Sequence, residues 1–565
     1  MTNRPIGTTK GPGEAAHEFT FITPDREQKV KTGEFVYYEA EVDGQTRRVL
    51  GRVTGRRPVR LFPDGFLADP EVRPEAVASM IGYAPQEPEL FEVAVAILGY
   101  HEPALNDFVN PRLPPRAGHP IFIADDAMLA AVLSHRQFGQ VGSAHVGSLL
   151  SRPVGAVPVI LDAGAITSTH LAIIASTGAG KSYLAGVLLE ELMAPHNRAA
   201  VLVVDPHAEY DTLCEMEQAL ALRGEDGYRP EVQIIRPDDV KVRVSSLTLG
   251  DLRYLMGEMS ERMHYLLGQT YRAVQRQYGH QWTRGQFRVV LRSGSRGKPV
   301  TDPQSDEELE TADLGESEQD ATVGALMWRF NSVFEKGIFD DLASLPLDRL
   351  FRPGRCTILQ LNEVEQREQQ VVVATILRRL LQARMDTERK RATEGDENYL
   401  PYPAFVLIEE AHNFAPASAD LITSQILKTI LSEGRKFGVA VGLISQRPGR
   451  LDADVLSQCM TQFILRIVNP VDQKRVAESV ESVGRDLLAE LPALSKGQAI
   501  IAGAAVNTPL VCRVRQRITR HGAEDLDAPT RWQEYFASDQ DSRRERNLSL
   551  LVQPGRRDRN RLFKS

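Results

Sequence analysis

Eight residues, Ala175-Ser-Thr-Gly-Ala-Gly-Lys181-Ser182, bring glycines, an ammonium and a hydroxyl together in the order that suits a triphosphate. Glycines let consecutive backbone N–H groups turn inward onto phosphate oxygens, and the N-terminus of a following helix adds a favourable dipole. In that arrangement Ser176, Thr177, Gly178, Ala179 and Gly180 cradle the phosphates of ATP. Lys181 sits on the β- and γ-phosphates, and Ser182 reaches Mg²⁺. The loop follows the apolar run Leu171-Ala-Ile-Ile174. It opens a helix expected from Lys181 to about Met193, with Leu184, Val187, Leu188 and Leu192 on one face. Ala175 stands where the usual pattern begins with Gly, a mild departure if φ there is negative.

A second chemical signal follows another apolar run. Ala404-Phe-Val-Leu-Ile408 ends in Glu409-Glu410-Ala-His-Asn413. Ligands in doubly wound sheets lie just beyond the carboxyl ends of the strands. Successive residues point in different directions, so the two carboxylates divide the work. Glu409 would act on the Mg²⁺ shell and Glu410 would polarise the attacking water; the alternative is that one or both cap the next helix. Three further strand or helix ends carry polar residues, each with two readings. Asp205 and Glu209, after Val204, either face the γ-phosphate and Mg²⁺-bound water or build a turn. Gln446, after Ile444, is a γ-phosphate sensor or a structural hydrogen-bonding group. Arg435, at the end of a helix, is an arginine finger or a cation placed against the helix dipole.

The elements that must hold these residues are legible as a change of period. Residues 1–17 read as a flexible arm. Over 18–150 short β-like runs alternate with turn residues: Glu34–Glu41, Arg47–Val53, Phe91–Leu98 and Pro120–Ala124, with a turn at Asp43-Gly44. That pattern suggests a small β-barrel. Over 151–525 apolar strands alternate with helices, at Ala199–Val204, Cys356–Leu361, Ala404–Ile408, Val439–Ile444 and Gln462–Ile467. The fold class is therefore α/β, with a mostly parallel sheet covered on both faces. Between about 246 and 345 the spacing becomes helical, as in Leu252, Leu255, Met256, Met259 and Met263. Within that insertion, residues 302–320 carry nine acidic side chains and no basic one, which reads as a solvated loop. Residues 526–565 form a C-terminal extension rich in arginine.

Bulk properties bound the function. At 565 residues and 42% hydrophobic composition the chain buries a large core in two to four domains. The formal net charge of −8 excludes a wholly basic surface, but not positive charge confined to one part of the molecule. Cys214, Cys356, Cys459 and Cys512 are far apart, without the paired spacing of a zinc site. No signal peptide and no apolar run approaching about 18 residues is present, so a cytoplasmic chain without a membrane partner is expected.

In this order, the strand and loop Thr169-His170 to Ser182, Asp205-Pro-His-Ala-Glu-Tyr210, Glu409-Glu-Ala-His-Asn413, Glu433-Gly-Arg-Lys-Phe437 and Ser445-Gln-Arg-Pro448 resemble the HerA-type hexameric ATPases, relatives of the FtsK and conjugative coupling motors. The resemblance covers most of the chain. It implies a RecA-like P-loop core, an N-terminal barrel of the HAS type, a helical insertion, and a homo-hexamer that passes double-stranded DNA through its channel. It further implies work beside a NurA-type nuclease in end resection or repair, or, in some relatives, activation of another effector in antiphage defence by an ATP-binding ring scaffold. Many such chains carry a basic residue where this one has Thr169, which puts more of the inter-subunit role on Arg435.

Overall fold

A computed structural model describes residues 4–12, 17–59, 90–105, 107–134, 136–294, 316–480, 483–522 and 527–537. The first strands are β1 (Gly7–Pro12), β2 (Glu18–Thr23), β3 (Phe35–Val42), β4 (Gln45–Pro58), β5 (Phe91–Glu102), β6 (Asp107–Val109) and β7 (Pro120–Ile123). Six of them close in the order β2-β1-β7-β3-β4-β5, with β5 pairing back onto β2. Alternation does the work: Phe19, Phe21, Val36, Tyr38, Val93 and Val95 point inward and are buried, their neighbours outward. The Asp43-Gly44 turn has positive φ at both residues, the geometry of a two-residue hairpin.

Two boundaries read from the sequence need correction. The stretch read as a flexible arm contains β1, which bonds β2 on one side and β7 on the other. Its Gly-Thr-Thr-Lys-Gly-Pro composition offers no hydrophobic alternation, so only the backbone ladder marks it. The end of the stretch read as barrel, Ser143–Leu149 (β8), pairs instead with β20 of the large sheet.

That sheet contains β8, β9 (Pro158–Asp162), β10 (Leu171–Ile174), β11 (Ala200–Asp205) and β12 (Glu231–Ile235). After the short pair β13 (Val242–Arg243) and β14 (Phe339–Asp340) come β15 (Arg355–Gln360), β16 (Ala404–Ile408), β17 (Val439–Ser445), β18 (Thr461–Ile464), β19 (Gln498–Gly503) and β20 (Leu510–Val514). The order is β12-β15-β11-β16-β17-β10-β18-β19-β20-β8-β9. The pairs from β12 to β18 are parallel and the rest antiparallel. Strands β10, β11, β16 and β17 are buried along their whole length, as a sheet covered on both faces requires.

The helical insertion consists of Leu249–Met256, Glu261–Tyr278, Arg284–Gly294 and Glu316–Phe334. Its apolar run is divided by Gly257, at φ 73°, and by Ser260, which caps the second helix. An aromatic column, Trp282-Phe287-Phe330-Phe334-Phe339, with ring centroids 4.5–5.6 Å apart, holds the insertion together. Of the acidic stretch 302–320, the part from Glu316 onward begins a helix, and the rest lies outside the described residues. The described residues after Arg520 belong to a separate unit and include a helix over 528–537; the arginine-rich tail lies outside the described residues. Among the described residues, no helix is long and apolar enough to cross a membrane.

Candidate active site

Parallel pairing lines up the carboxyl ends of β11, β16, β17 and β10, so that Asp205, Glu409, Gln446 and the loop from Ala175 to Ser182 share one edge of the sheet. The loop bends through Gly178 (φ 77°) and Gly180 (φ 103°), values a side chain tolerates poorly. Ala175 is buried, donates its N–H to the Ser445 carbonyl, and is not among the described residues with positive φ, so no glycine is needed there. Ser176 donates its N–H to the Arg466 carbonyl beyond β18. The helix Lys181–Leu192 makes its first i→i−4 bond from Leu184 to Gly180, leaving the N–H groups of its first residues free of intrahelical acceptors. A helix end of this kind suits an anion, and this one carries an ammonium and a hydroxyl.

Around it, carboxylates converge. Lys181 Nζ donates to Glu409 Oε1 and lies 3.2 Å from Glu410 Oε1. Ser182 Oγ donates to Glu209 Oε2 at 2.6 Å. Tyr210 OH donates to Glu409 Oε2 at 3.0 Å. Burial pushes the Glu409 carboxyl up to about 7, while Lys181 pulls against it. Burial also opposes the charge on Lys181, but Glu409, Glu410 and Glu209 outweigh it and hold the ammonium above its usual pKa. Burial likewise drives the Tyr210 hydroxyl well upward, so it remains a donor. Glu410 adopts φ 51° and ψ 45°, a left-handed backbone costly for a residue with a side chain. His412 Nδ1 lies 3.2 Å from Glu410 Oε2 and 3.3 Å from Ser445 Oγ. Burial lowers the pKa of this imidazole against the pull of Glu410. Two buried carboxylates on one ammonium, with the Glu209 carboxylate nearby, leave an excess of negative charge. A hard divalent cation bound through oxygen compensates it, and Mg²⁺ takes only one or two protein oxygens beside phosphate and water. The oxygen donors gathered here, the Ser182 hydroxyl among them, are of the type that suits Mg²⁺ with a nucleoside triphosphate.

The family profile described as "Helicase HerA, central domain" matches residues 144–380. The chain is 30% identical over 480 residues to "DNA double-strand break repair helicase HerA" of Pyrococcus furiosus, covering 79% of this chain and 83% of that one. The chain belongs to the HerA helicase family. It is an ATPase. A "Probable helicase MJ1565" of Methanocaldococcus jannaschii is 32% identical over 429 residues, covering 75% and 76% of the two chains. VirB4 of Thermoanaerobacter pseudethanolicus, a solved structure, superposes with a TM-score of 0.44 at 13% identity, covering 67% of this chain and 97% of that one.

Not every residue singled out from the sequence of this HerA-family chain meets the site. Thr177 does, its hydroxyl donating to Gln446 Oε1 at 3.0 Å. Asp205 takes the turn-building geometry of its two readings. Its carboxylate accepts the N–H groups of His207, Glu209 and Tyr210 at 3.2–3.3 Å, and so folds the loop that delivers Glu209 and Tyr210. Arg435 is exposed in the turn Gly434–Phe437, which precedes β17, whereas Gln446 follows it. Seven strand residues, about 3.3 Å each, put some 20 Å between the two ends. Thr169, likewise before β10, is buried and bonds the Ala165 carbonyl within its own helix. Sequence reasoning gave no role to Tyr210 or His412. The second lies two residues from a named glutamate; the first is 199 positions from the carboxylate it holds. Tyr254 of the helical insertion, Arg367, Gln370, His412 and Asn413 line a cavity of about 260 Å³ beside the glutamate turn.

Proposed function

We propose that this chain is an ATP-driven translocase and helicase for double-stranded DNA, assembled as a homo-hexamer and acting with a nuclease or another effector in DNA end processing or repair. The observation that carries the reading is the cluster of Lys181, Ser182, Glu209, Glu409 and Glu410 at one edge of the sheet, with exposed Arg435 at the other. Lys181 and the loop N–H groups hold the phosphates. Glu410 takes a proton from the attacking water, and Gln446, tethered to Thr177, orients that water. Ser182 and Glu409 would hold Mg²⁺, which when bound offsets charge on the phosphate oxygens. Tyr210 keeps Glu409 in place. Arg435 is too far along β17 to serve its own nucleotide, so its partner is the nucleotide of a neighbouring copy. The names of the similar helicases, which refer to DNA double-strand break repair, support the substrate.

Steady-state ATPase measured with and without duplex DNA tests the reading. Turnover that rises with duplex DNA is expected. Turnover indifferent to DNA, in a protein that nonetheless forms rings, would replace a motor by an ATP-binding scaffold.

A further inference from the structure

Arg384 lies near the C-terminal end of the helix Gln366–Glu388 and is 3% exposed. A buried guanidinium needs an acceptor for each edge of its fork. Here Nε donates to the Phe437 carbonyl at 2.7 Å, Nη1 to the Leu400 carbonyl at 2.6 Å, and Nη2 pairs with Glu388. Phe437 ends the turn Gly434–Phe437, the turn that carries Arg435. The turn is gripped at other points as well. The Arg389 guanidinium lies 5.4 Å over the Phe437 ring, and Ala404 N–H donates to the Gly438 carbonyl at 2.9 Å. Gly438 has φ 67°, and a Cβ there would lie 3.1 Å from Pro403 and 3.3 Å from Arg384 Nη2. Backbone and guanidinium thus pack closely enough that an added Cβ would be tight against both neighbours.

We propose that Arg384 is a positioning residue for Arg435. It clamps the turn from the buried side, so that the exposed guanidinium is presented to the nucleotide of a neighbouring copy from a fixed backbone. The inference rests on Arg435 acting in trans, as proposed above, and adds what aims it. A flexible turn would still carry the charge but would spread its position, and a misplacement of about 1 Å costs on the order of 10²-fold in rate. The opposite end of the same helix reaches the glutamate turn, where Gln370 Nε2 donates to the Asn413 carbonyl at 2.6 Å. One rigid helix therefore braces the hydrolytic turn of a subunit's own site and the arginine it offers next door.

The test is complementation in mixed assemblies, with subunit exchange shown by co-purification of differently tagged chains. Arg384→Met alone should bind a fluorescent ATP analogue normally, with turnover reduced on the order of tenfold to a hundredfold. Mixed with Lys181→Ala, which keeps an intact turn, it should regain turnover; mixed with Arg435→Ala it should not. A fault of general folding would not sort the variants this way. If Arg435→Ala with Lys181→Ala recovers while Arg384→Met with Lys181→Ala does not, the positioning role is overturned and the trans arginine stands. If neither pair recovers, the trans reading falls and the positioning role with it. Normal turnover of Arg384→Met alone also overturns the role. Should Arg384→Met fail to fold, Arg384→Lys enters the same mixes, since it keeps the charge but not the fork that serves two carbonyls.

Discussion

The Lys181 ammonium is shared between two buried carboxylates, and the consequences differ for each partner. Lys181→Ala removes the charge that faces the β- and γ-phosphates. ATP turnover should fall on the order of 10²–10³-fold or more, as for loss of a preorganised electrostatic contact. Glu410→Gln keeps the shape and removes the base; nucleotide binding should persist while turnover drops on the order of 10²–10⁴-fold. Normal hydrolysis by Glu410→Gln would remove it from the role. Glu409 gives a different signature. Burial raises its carboxyl from an ordinary 4.5 to about 7, so between those values the folded protein holds a proton that the unfolded chain has released. Its stabilising contribution is therefore complete below 4.5 and lost as the pH rises through 7. Without nucleotide, wild type should lose melting temperature relative to Glu409→Gln across that window; parallel curves would refute the shift. The loop from Ser176 to Ser182 and the pair Glu409-Glu410 were legible beforehand because their chemistry is local: glycines before a lysine, acids at the end of an apolar run. Asp205 kept two readings for the same reason. A strand-end carboxylate looks alike whether it faces phosphate or accepts N–H groups of the loop it begins, and only the fold distinguishes them.

Among the elements, the helix Lys181–Leu192 shows how much a period conceals. Its pattern predicts one apolar face, yet nearly every position is buried. One face lies on the sheet through Leu184, Val187 and Leu188, and the other lies under the segment that follows β20. There Glu190, fully buried, accepts the N–H groups of Ile518 and Thr519 at 3.0 and 2.9 Å and pairs with Arg515 at 2.9 Å. Gly186 lets Arg517 approach to where a Cβ would be 2.5 Å from its guanidinium carbon. A buried charge with this many donors is costly to remove, because the donors are left without a partner. Glu190→Ala should lower unfolding free energy by about 3–5 kcal/mol. Chemical denaturation measures it, and a loss below about 1 kcal/mol would mean the segment holds the helix by other contacts. Strands β10, β11, β16 and β17 were visible as apolar runs. β1 was not, since it has no apolar alternation, and β8 was placed in the barrel because its partner β20 is distant in the chain.

At the scale of the whole molecule, the polarity of the sheet bears on the assembly proposed above. Strands β10, β11, β16 and β17 lead into the candidate site residues at their carboxyl ends, while Arg435 precedes β17 at the amino end. A surface that offers one end and needs the other associates head to tail, and a closed head-to-tail association is a ring. In the ring proposed above, a net charge of −8 would leave DNA contact to positive charge along the channel and not to the exterior as a whole. A channel meets phosphates before base edges, so affinity should follow the counterions released. The logarithm of the association constant for duplex DNA should fall linearly with that of salt concentration, with a slope of about −0.9 per phosphate neutralised. Two duplexes of equal length and unrelated sequence should give superimposable lines. Fluorescence anisotropy with a non-hydrolysed ATP analogue measures both slopes. A salt-independent affinity, or one duplex strongly preferred over the other, would place DNA on a sequence-reading surface and not in an encircling channel, because only base-edge contacts separate sequences of the same form and charge.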